Sequence, residues 1–300
     1  MTNPAKKLYD MRREHDYFIG IDSDGCAFDT MEIKHKECFI PNTINYWDLQ
    51  PVSKYAREAA EFVNLYSKWR GINRFPALIN VIDLLSERTE CIERGFSAPD
   101  LAELRKWIET ETKLANPALE ARVRDNPTPL MKRTLDWSVA VNETIANLVR
   151  NVPPFPFLRE SLGKMNDGCD VIVVSATPGE ALDREWNEHG IDGFVKVIAG
   201  QEMGTKKEHL GIAALKGYDR NKMLMIGDAP GDFKAARANG ILFYPINPGN
   251  EESSWKRFYG EAYDRFIKGE YEGEYEAGLI AEFDGYLPKT PPWKKQEGRL

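Results

Sequence analysis

Short, unbroken apolar runs punctuate the chain at residues 17–22, 171–175, 194–198, 223–227 and 241–246. A strand buried on both faces of a parallel sheet has no polar side, so such runs, rich in Val, Ile, Phe and Met, predict strands of that kind. Helical patterns separate the last four runs, and this alternation predicts an α/β fold built on a parallel sheet. Residues 30–155 differ, with no strand-like run and several amphipathic periods. Tyr55, Ala59, Phe62, Tyr66 and Trp69 recur at helical intervals, as do Leu78, Val81, Ile82 and Leu85, and Leu135, Val139, Asn142, Ile145 and Val149. Each set predicts the buried stripe of a helix, and together they predict an inserted all-helical domain.

The pattern divides the chain into a discontinuous core of residues 1–29 and 156–250, a helical insertion at 30–155, and a helical extension and tail at 251–300. Ala27 to Ile33 leads into the insertion and Val152-Pro153-Pro154-Phe155-Pro156 leads back, its prolines limiting the backbone, so the two passages are expected to form a hinge. Past the last run, Trp255, Phe258, Tyr259, Ala262 and Phe266 share one helical face. Packing on the protein's own core is the expectation for that stripe, and an oligomer contact is the alternative. Residues 288–300 read as a tail.

Composition narrows the partners. With 300 residues and 42% hydrophobic content the chain is long enough for a substantial core. Forty basic against 47 acidic residues give a net charge of −7, which argues against a nucleic-acid partner held by phosphate neutralisation and favours a small molecule. No stretch approaches membrane-spanning length and the polar amino terminus lacks a secretory core, so no membrane partner and a cytoplasmic location are expected. Cys26, Cys38, Cys91 and Cys169 are scattered without paired spacing, as suits reduced thiols.

The chemistry gathers where the runs end. Asp22 and Asp24 close the first, and Asp228 closes the fourth. Ligands of open α/β sheets collect beyond the carboxyl ends of the strands, where these acids fall. Residues two apart on a strand share a face, so Asp22 and Asp24 are expected to serve one pocket; an Asx turn before Gly25 is the bland alternative. Carboxylates crowded with a phosphate repel one another, which calls for a hard divalent cation with oxygen ligands, magnesium being the expected ion. Asp232 stands near this set, although a carboxylate in a first helical turn is also favourable without any metal. Thr177-Pro178-Gly179-Glu180 reads as a helix start capped by Thr177, which leaves Ser175 facing a helix amino terminus or bonded to nearby backbone. Thr205-Lys206-Lys207-Glu208 repeats the capping pattern but sets two cations against the helix dipole, a local violation of the kind found at functional sites. Adjacent helical positions diverge by about 100°, so only one of the two lysines can point inward. His209 reads as a surface residue of that helix.

Taken in order, Asp22-Ser23-Asp24-Gly25, Val171-Ile172-Val173-Val174-Ser175, the lysine of Gly204-Thr205-Lys206-Lys207-Glu208, and Gly227-Asp228-Ala229-Pro230-Gly231-Asp232 resemble the four motifs of the haloacid dehalogenase-like superfamily. Asp29-Thr30-Met31-Glu32 resembles the entry into the helical cap of members with an insertion after the first strand. The resemblance implies a Rossmann-like core and an aspartyl-phosphate mechanism. It casts Asp22 as nucleophile, Asp24 as general acid and base, Ser175 as phosphoryl ligand and Lys206 as the inward lysine. It assigns magnesium to Asp22, the Asp24 carbonyl and Asp228, with Asp232 close by. The expected activity is hydrolysis of a phosphomonoester of a small metabolite. Arg70-Gly71-Ile72-Asn73-Arg74-Phe75-Pro76 is similar to the specificity loop of beta-phosphoglucomutases, which makes Arg70 and Arg74 candidate substrate contacts and a sugar-phosphate mutase the alternative, although Lys34 stands where those mutases carry histidine. A phosphonate-cleaving relative needs a Schiff-base lysine, for which Lys34 and Lys36 are candidates. A binding or regulatory protein without turnover is the reading from outside enzymology, and the intact acidic set speaks against it.

Overall fold

The computed structural model describes residues 3–297; residues 298–300 of the expected tail lie outside the described residues. Five strands, Tyr17–Ile21 (β1), Cys169–Val174 (β2), Val197–Ala199 (β3), Met223–Gly227 (β4) and Leu242–Pro245 (β5), form one sheet in the order β3-β2-β1-β4-β5. Every pairing is parallel, with Ile19 opposite Val171 on one side and Leu224 on the other. The chain steps outward from β1 through β2 to β3, then returns to the far side of β1 for β4 and β5. Strand order therefore reverses at β1, and in open α/β sheets ligands bind at the carboxyl end of such a switch point.

Side chains alternate across this sheet between two apolar clusters. Ile19, Ile21, Val173 and Ile226 enter one, together with Leu158 and Leu162 of the helix Leu158–Asn166. Phe18, Ile172, Val174 and Met225 enter the other, with Leu210 of the helix Lys206–Ala214 and Ala235 and Ala236 of the helix Pro230–Ala238. Both faces are covered, which is why the strand sequences contain no polar alternation. A Cβ on Gly20 would stand 3.0 Å from Leu210 Cδ2 and 3.1 Å from Val174 Cγ2, so glycine here lets the helix Lys206–Ala214 lie close against β1. Trp255, Phe258, Ala262 and Phe266 are buried in the first cluster, as expected for a stripe packing on its own core, while Tyr259 is exposed.

The described chain falls into two compact units, one of residues up to 31 with 151–287 and the other of residues 32–150 with those from 288 on. The outgoing and returning passages run together within the first unit: Phe28 bridges Pro154, and the Phe155 amide donates to the Ala27 carbonyl at 2.9 Å. The second unit is built of helices and the loops between them, with no strand among its described residues. Leu78, Val81, Ile82 and Leu85 are buried on the helix Arg74–Ser86 as expected. The helix Ser53–Asn64 ends before Tyr66 and Trp69, so that stripe is only partly helical. The expected stripe of the helix Pro129–Leu148 is corrected. Its buried face is Met131, Thr134, Trp137, Ser138 and Val141, with Leu135 and Ile145 partly buried beside it, whereas Val139 is exposed. The tail is also corrected, because Pro288 accepts from the Lys68 amide and Trp293 packs 5.8 Å from the Phe62 ring with the Arg88 guanidinium 4.6 Å from its centroid. No helix among the described residues is long and apolar enough to cross a membrane.

At the amino end of β2, Asp170 is wholly buried and ties the incoming chain to the sheet. It accepts from the amides of Glu14 and His15, from the Tyr218 hydroxyl at 2.5 Å and from the Lys196 ammonium at 2.8 Å. Burial alone would raise its pKa, but the hydrogen bonds from Lys196, Tyr218 and the two amides outweigh it and hold the carboxyl at about 2. The folded value lies below the unfolded one, so the stabilisation is full above pH 4 and is lost as pH falls towards 2. Asp170→Asn is therefore expected to cost about 2 kcal/mol at pH 7 and to remove that part of the acid dependence. Urea titrations of both proteins at pH 7 and pH 3 check this; an undiminished midpoint at pH 7 rejects it.

Candidate active site

Continuing the alternation of β1, Asp22 falls on the side of Phe18 and Gly20, towards the helices Lys206–Ala214 and Pro230–Ala238. Its amide extends the ladder to the Ile226 carbonyl at 3.0 Å, which fixes the register at which the carboxylate leaves the sheet. Asp228 directly follows β4, and Asp232 lies in the first turn of the next helix. All three are buried, and each offers an oxygen within 4.8 Å of the others. Thr205 and Glu208 form a reciprocal capping box that sets the start of the helix Lys206–Ala214. From its first position Lys206 reaches into the acidic set, with Nζ 2.7 Å from Asp22 Oδ2 and 2.5 Å from Asp232 Oδ1. Of the two adjacent lysines it is thus Lys206 whose ammonium meets Asp22, and this contact offsets its unfavourable place at a helix amino terminus.

One ammonium faces three carboxylates. Burial raises the Asp22 pKa well above the ordinary carboxylate range, Asp232 and Asp228 push it further, and Lys206 opposes them. Burial would lower Lys206, but Asp22 and Asp232 override it and raise the ammonium's pKa. Asp232 serves two purposes, since Oδ2 also accepts the Ala229 amide at 3.1 Å as an N-terminal cap. There is no clearance beside it: a Cβ on Gly227 would lie 2.4 Å from Asp232 Cβ, so only glycine at the end of β4 lets the carboxylate fold over the strand. These residues fit a hard divalent cation. The donors are all oxygens and the charge is in excess by two carboxylates. Opposite ligands of magnesium stand about 4.2 Å apart, and these oxygens all lie within 4.8 Å of one another.

Asp24 arrives differently from expectation. β1 ends at Ile21, so strand parity does not deliver it. It belongs to a turn in which the Ser23 carbonyl accepts the amides of Cys26, Ala27 and Phe28, and in which Gly25 takes a left-handed φ of 76°. The Asp24 carboxylate accepts the Thr177 hydroxyl at 2.6 Å and that of Thr30 on its other oxygen. Thr177 therefore does not cap the helix Gly179–Glu188. Pro178 occupies the cap position, and the Thr177 hydroxyl goes to Asp24. Ser175 follows β2, buried, with Oγ accepting the Thr177 amide at 3.1 Å. Thr177 and Trp186, which donates to Ser23 Oγ, were not recognisable as site residues, because each reaches the site from a distant part of the chain. Cys26 is buried beneath the turn, and burial, with Asp228 and Asp22, pushes its thiol up, the reverse of a nucleophilic cysteine.

The remaining candidates lie in the helical unit. Arg70 is buried and its Nη1 donates to the Leu65 carbonyl at 2.8 Å. Arg74 Nη1 donates to the Ser138 carbonyl and hydroxyl and to Asn142 Oδ1, its guanidinium lies 5.0 Å from the Phe39 ring centroid, and burial lowers its pKa to about 10. Both guanidinium groups thus have partners inside that unit. Lys36 pairs with Glu32, whose hydrogen bond pushes the ammonium up to about 12, opposite to what a Schiff-base lysine requires. His209 is corrected from surface to core: it is fully buried, and burial lowers its imidazole to about 4.

The sequence pattern of the haloacid dehalogenase-like hydrolases matches residues 78–246. No curated protein matches the chain. Among solved structures, a haloacid dehalogenase-like hydrolase from Streptococcus pneumoniae is 13% identical with a TM-score of 0.46, covering 89% of this chain and 98% of its own. A haloacid dehalogenase-like hydrolase from Xanthomonas campestris is 11% identical with a TM-score of 0.47, over 88% and 98%. A predicted phosphoglycolate phosphatase from Haemophilus somnus is 14% identical with a TM-score of 0.44, over 80% and 89%.

Proposed function

The chain belongs to the haloacid dehalogenase-like hydrolases, and from that premise we propose that it is a magnesium-dependent phosphomonoester hydrolase acting on a small phosphorylated metabolite. The observation that carries the reading is the Lys206 ammonium between Asp22 and Asp232, with Asp228 in the same buried group. Nothing in a structural ion pair calls for a third carboxylate beside it. An anionic substrate handled with a divalent cation does.

In this reading a carboxylate oxygen of Asp22 attacks phosphorus in line with the ester oxygen, forming an aspartyl phosphate as the bond to the alcohol breaks. Asp24 gives its proton to the departing alkoxide, then takes one from the water that attacks the aspartyl phosphate, releasing inorganic phosphate and restoring Asp22. The Thr177 and Thr30 hydroxyls, both bonded to Asp24, fix the orientation of its carboxyl group. Lys206 offsets phosphoryl charge beside the nucleophile, and the Ser175 hydroxyl at the end of β2 binds a phosphoryl oxygen. Asp22, Asp228, Asp232 and the Asp24 carbonyl would hold magnesium, which when bound supplies positive charge against the phosphoryl oxygens. Phosphate chemistry belongs to the sheet core, and choice of the alcohol to residues 30–155 acting as a cap, with Arg70 and Arg74 as its proposed contacts. Four free, buried cysteines suit a reducing compartment, and the cytoplasm is the one proposed.

The test is phosphate release from para-nitrophenyl phosphate by the whole chain. Turnover is expected with magnesium and is expected to fall on the order of 10²-fold or more when the cation is removed by EDTA, returning on readdition. Undiminished turnover in EDTA rejects the metal, and failure to release phosphate from aryl phosphates and a panel of phosphorylated metabolites rejects the hydrolase.

A further inference from the structure

Ser23 separates the two aspartates of the first motif, and the alternation that sends Asp22 to one side of the sheet sends Ser23 to the other. It is fully buried there. Its hydroxyl accepts the indole N–H of Trp186 at 3.0 Å and donates to Glu185 Oε2 at 3.1 Å. Its amide donates to Asp22 Oδ1 at 2.8 Å, and its carbonyl takes the amides of Cys26, Ala27 and Phe28 at 3.3, 2.8 and 3.1 Å. One residue thus joins a carboxylate oxygen of the proposed nucleophile, the turn that carries the proposed general acid, and a helix on the opposite face. That helix, Gly179–Glu188, begins just after Thr177, whose hydroxyl holds Asp24. The helix and the residue just ahead of it thereby touch the motif at two points, Thr177 at Asp24 and Trp186 with Glu185 at Ser23.

We infer that Ser23 is a positioning residue, its hydroxyl fastened by Trp186 and Glu185 so that its amide orients Asp22 and its carbonyl sets the turn bearing Asp24. The inference rests on the hydrolase reading above for its kinetic consequence, but not for its structural one. A hydroxyl needed merely to satisfy a buried indole would matter to stability alone. Here the backbone of Ser23 also reaches both acids, and attack geometry is sensitive: a displacement of an ångström costs on the order of 10²-fold in rate.

Ser23→Ala, Trp186→Phe and the double variant separate these cases, read by phosphate release at a temperature where each is fully folded and by hydrogen–deuterium exchange of the segment 22–28. Ser23→Ala is expected to lower kcat about tenfold or more with KM within about twofold. Trp186→Phe, which keeps a ring and loses the N–H, is expected to lower kcat in the same direction. The double variant is expected to be no slower than Ser23→Ala, because both act through one hydroxyl. Amides of 26–28 are expected to exchange faster in both single variants while those of β1 do not. Unchanged kcat in Ser23→Ala, or losses that multiply in the double variant, overturns the proposal. A wild type without turnover, but with the expected exchange behaviour, refutes the hydrolase reading and leaves the fastening intact; unchanged exchange refutes the fastening.

Discussion

Asp22→Asn is expected to abolish turnover, by on the order of 10³-fold or more, while leaving the protein as stable as before or more so. The amide cannot form the acyl phosphate, so the loss falls on kcat and is not recovered by raising substrate. The stability sign follows from the raised pKa of Asp22. An acid whose folded pKa lies above its unfolded value carries its charge at a cost in the native state at neutral pH, with burial the largest cause and Asp232 and Asp228 adding to it. Asparagine removes that charge and still leaves Lys206 its contact with Asp232. Thermal unfolding in cation-free buffer at pH 7 should give a Tm equal to or above that of the wild type. Retained turnover would falsify the assigned nucleophile, and a marked fall in Tm would mean that the cluster is held by Asp22 and not strained by it.

Lys206→Met reverses the stability sign. It removes the ammonium from between two buried carboxylates and leaves three acids together, and breaking a buried pair in this way costs about 3–5 kcal/mol. Turnover should fall by about 10²–10³-fold, the usual loss for a charge that stabilises a transition state. The instability should shrink as pH falls, since protonating the carboxylates relieves their repulsion. Two substitutions a few ångströms apart thus pull activity the same way and stability in opposite ways. A Lys206→Met protein as stable as the wild type at pH 7 would show that the contact contributes nothing to folding.

The sheet was legible because its strands are buried on both sides: runs such as Val171 to Val174 admit no competing period, and Asp22 and Asp228 end theirs where ligands gather. The acidic set was legible for the same reason. Legibility failed where polar residues are buried on satisfied hydrogen bonds. The inner face of the helix Pro129–Leu148 includes Thr134, bonded to the Leu130 carbonyl, and Ser138, bonded to Asn116 and Arg74, so apolarity alone caught only the edge of that face, at Leu135 and Ile145. His209 was misjudged for a different reason, since a neutral buried imidazole leaves no mark in the local pattern. Thr177 sat in a convincing helix-start motif, but a proline took the cap position and the hydroxyl answered to Asp24, 153 residues away in the chain. Ser23 and Trp186 show the same limit, for nothing near either residue announces the other.

The bridge between Phe28 and Pro154 has a consequence for how such a protein can change. Departure and re-entry of the chain are neighbours, so the sheet side is stitched shut whatever lies in the excursion between them. An excursion whose ends meet can be lengthened, shortened or exchanged for another without parting the two passages that flank it. The length and sequence of the second unit can then vary while the seam in the first is kept.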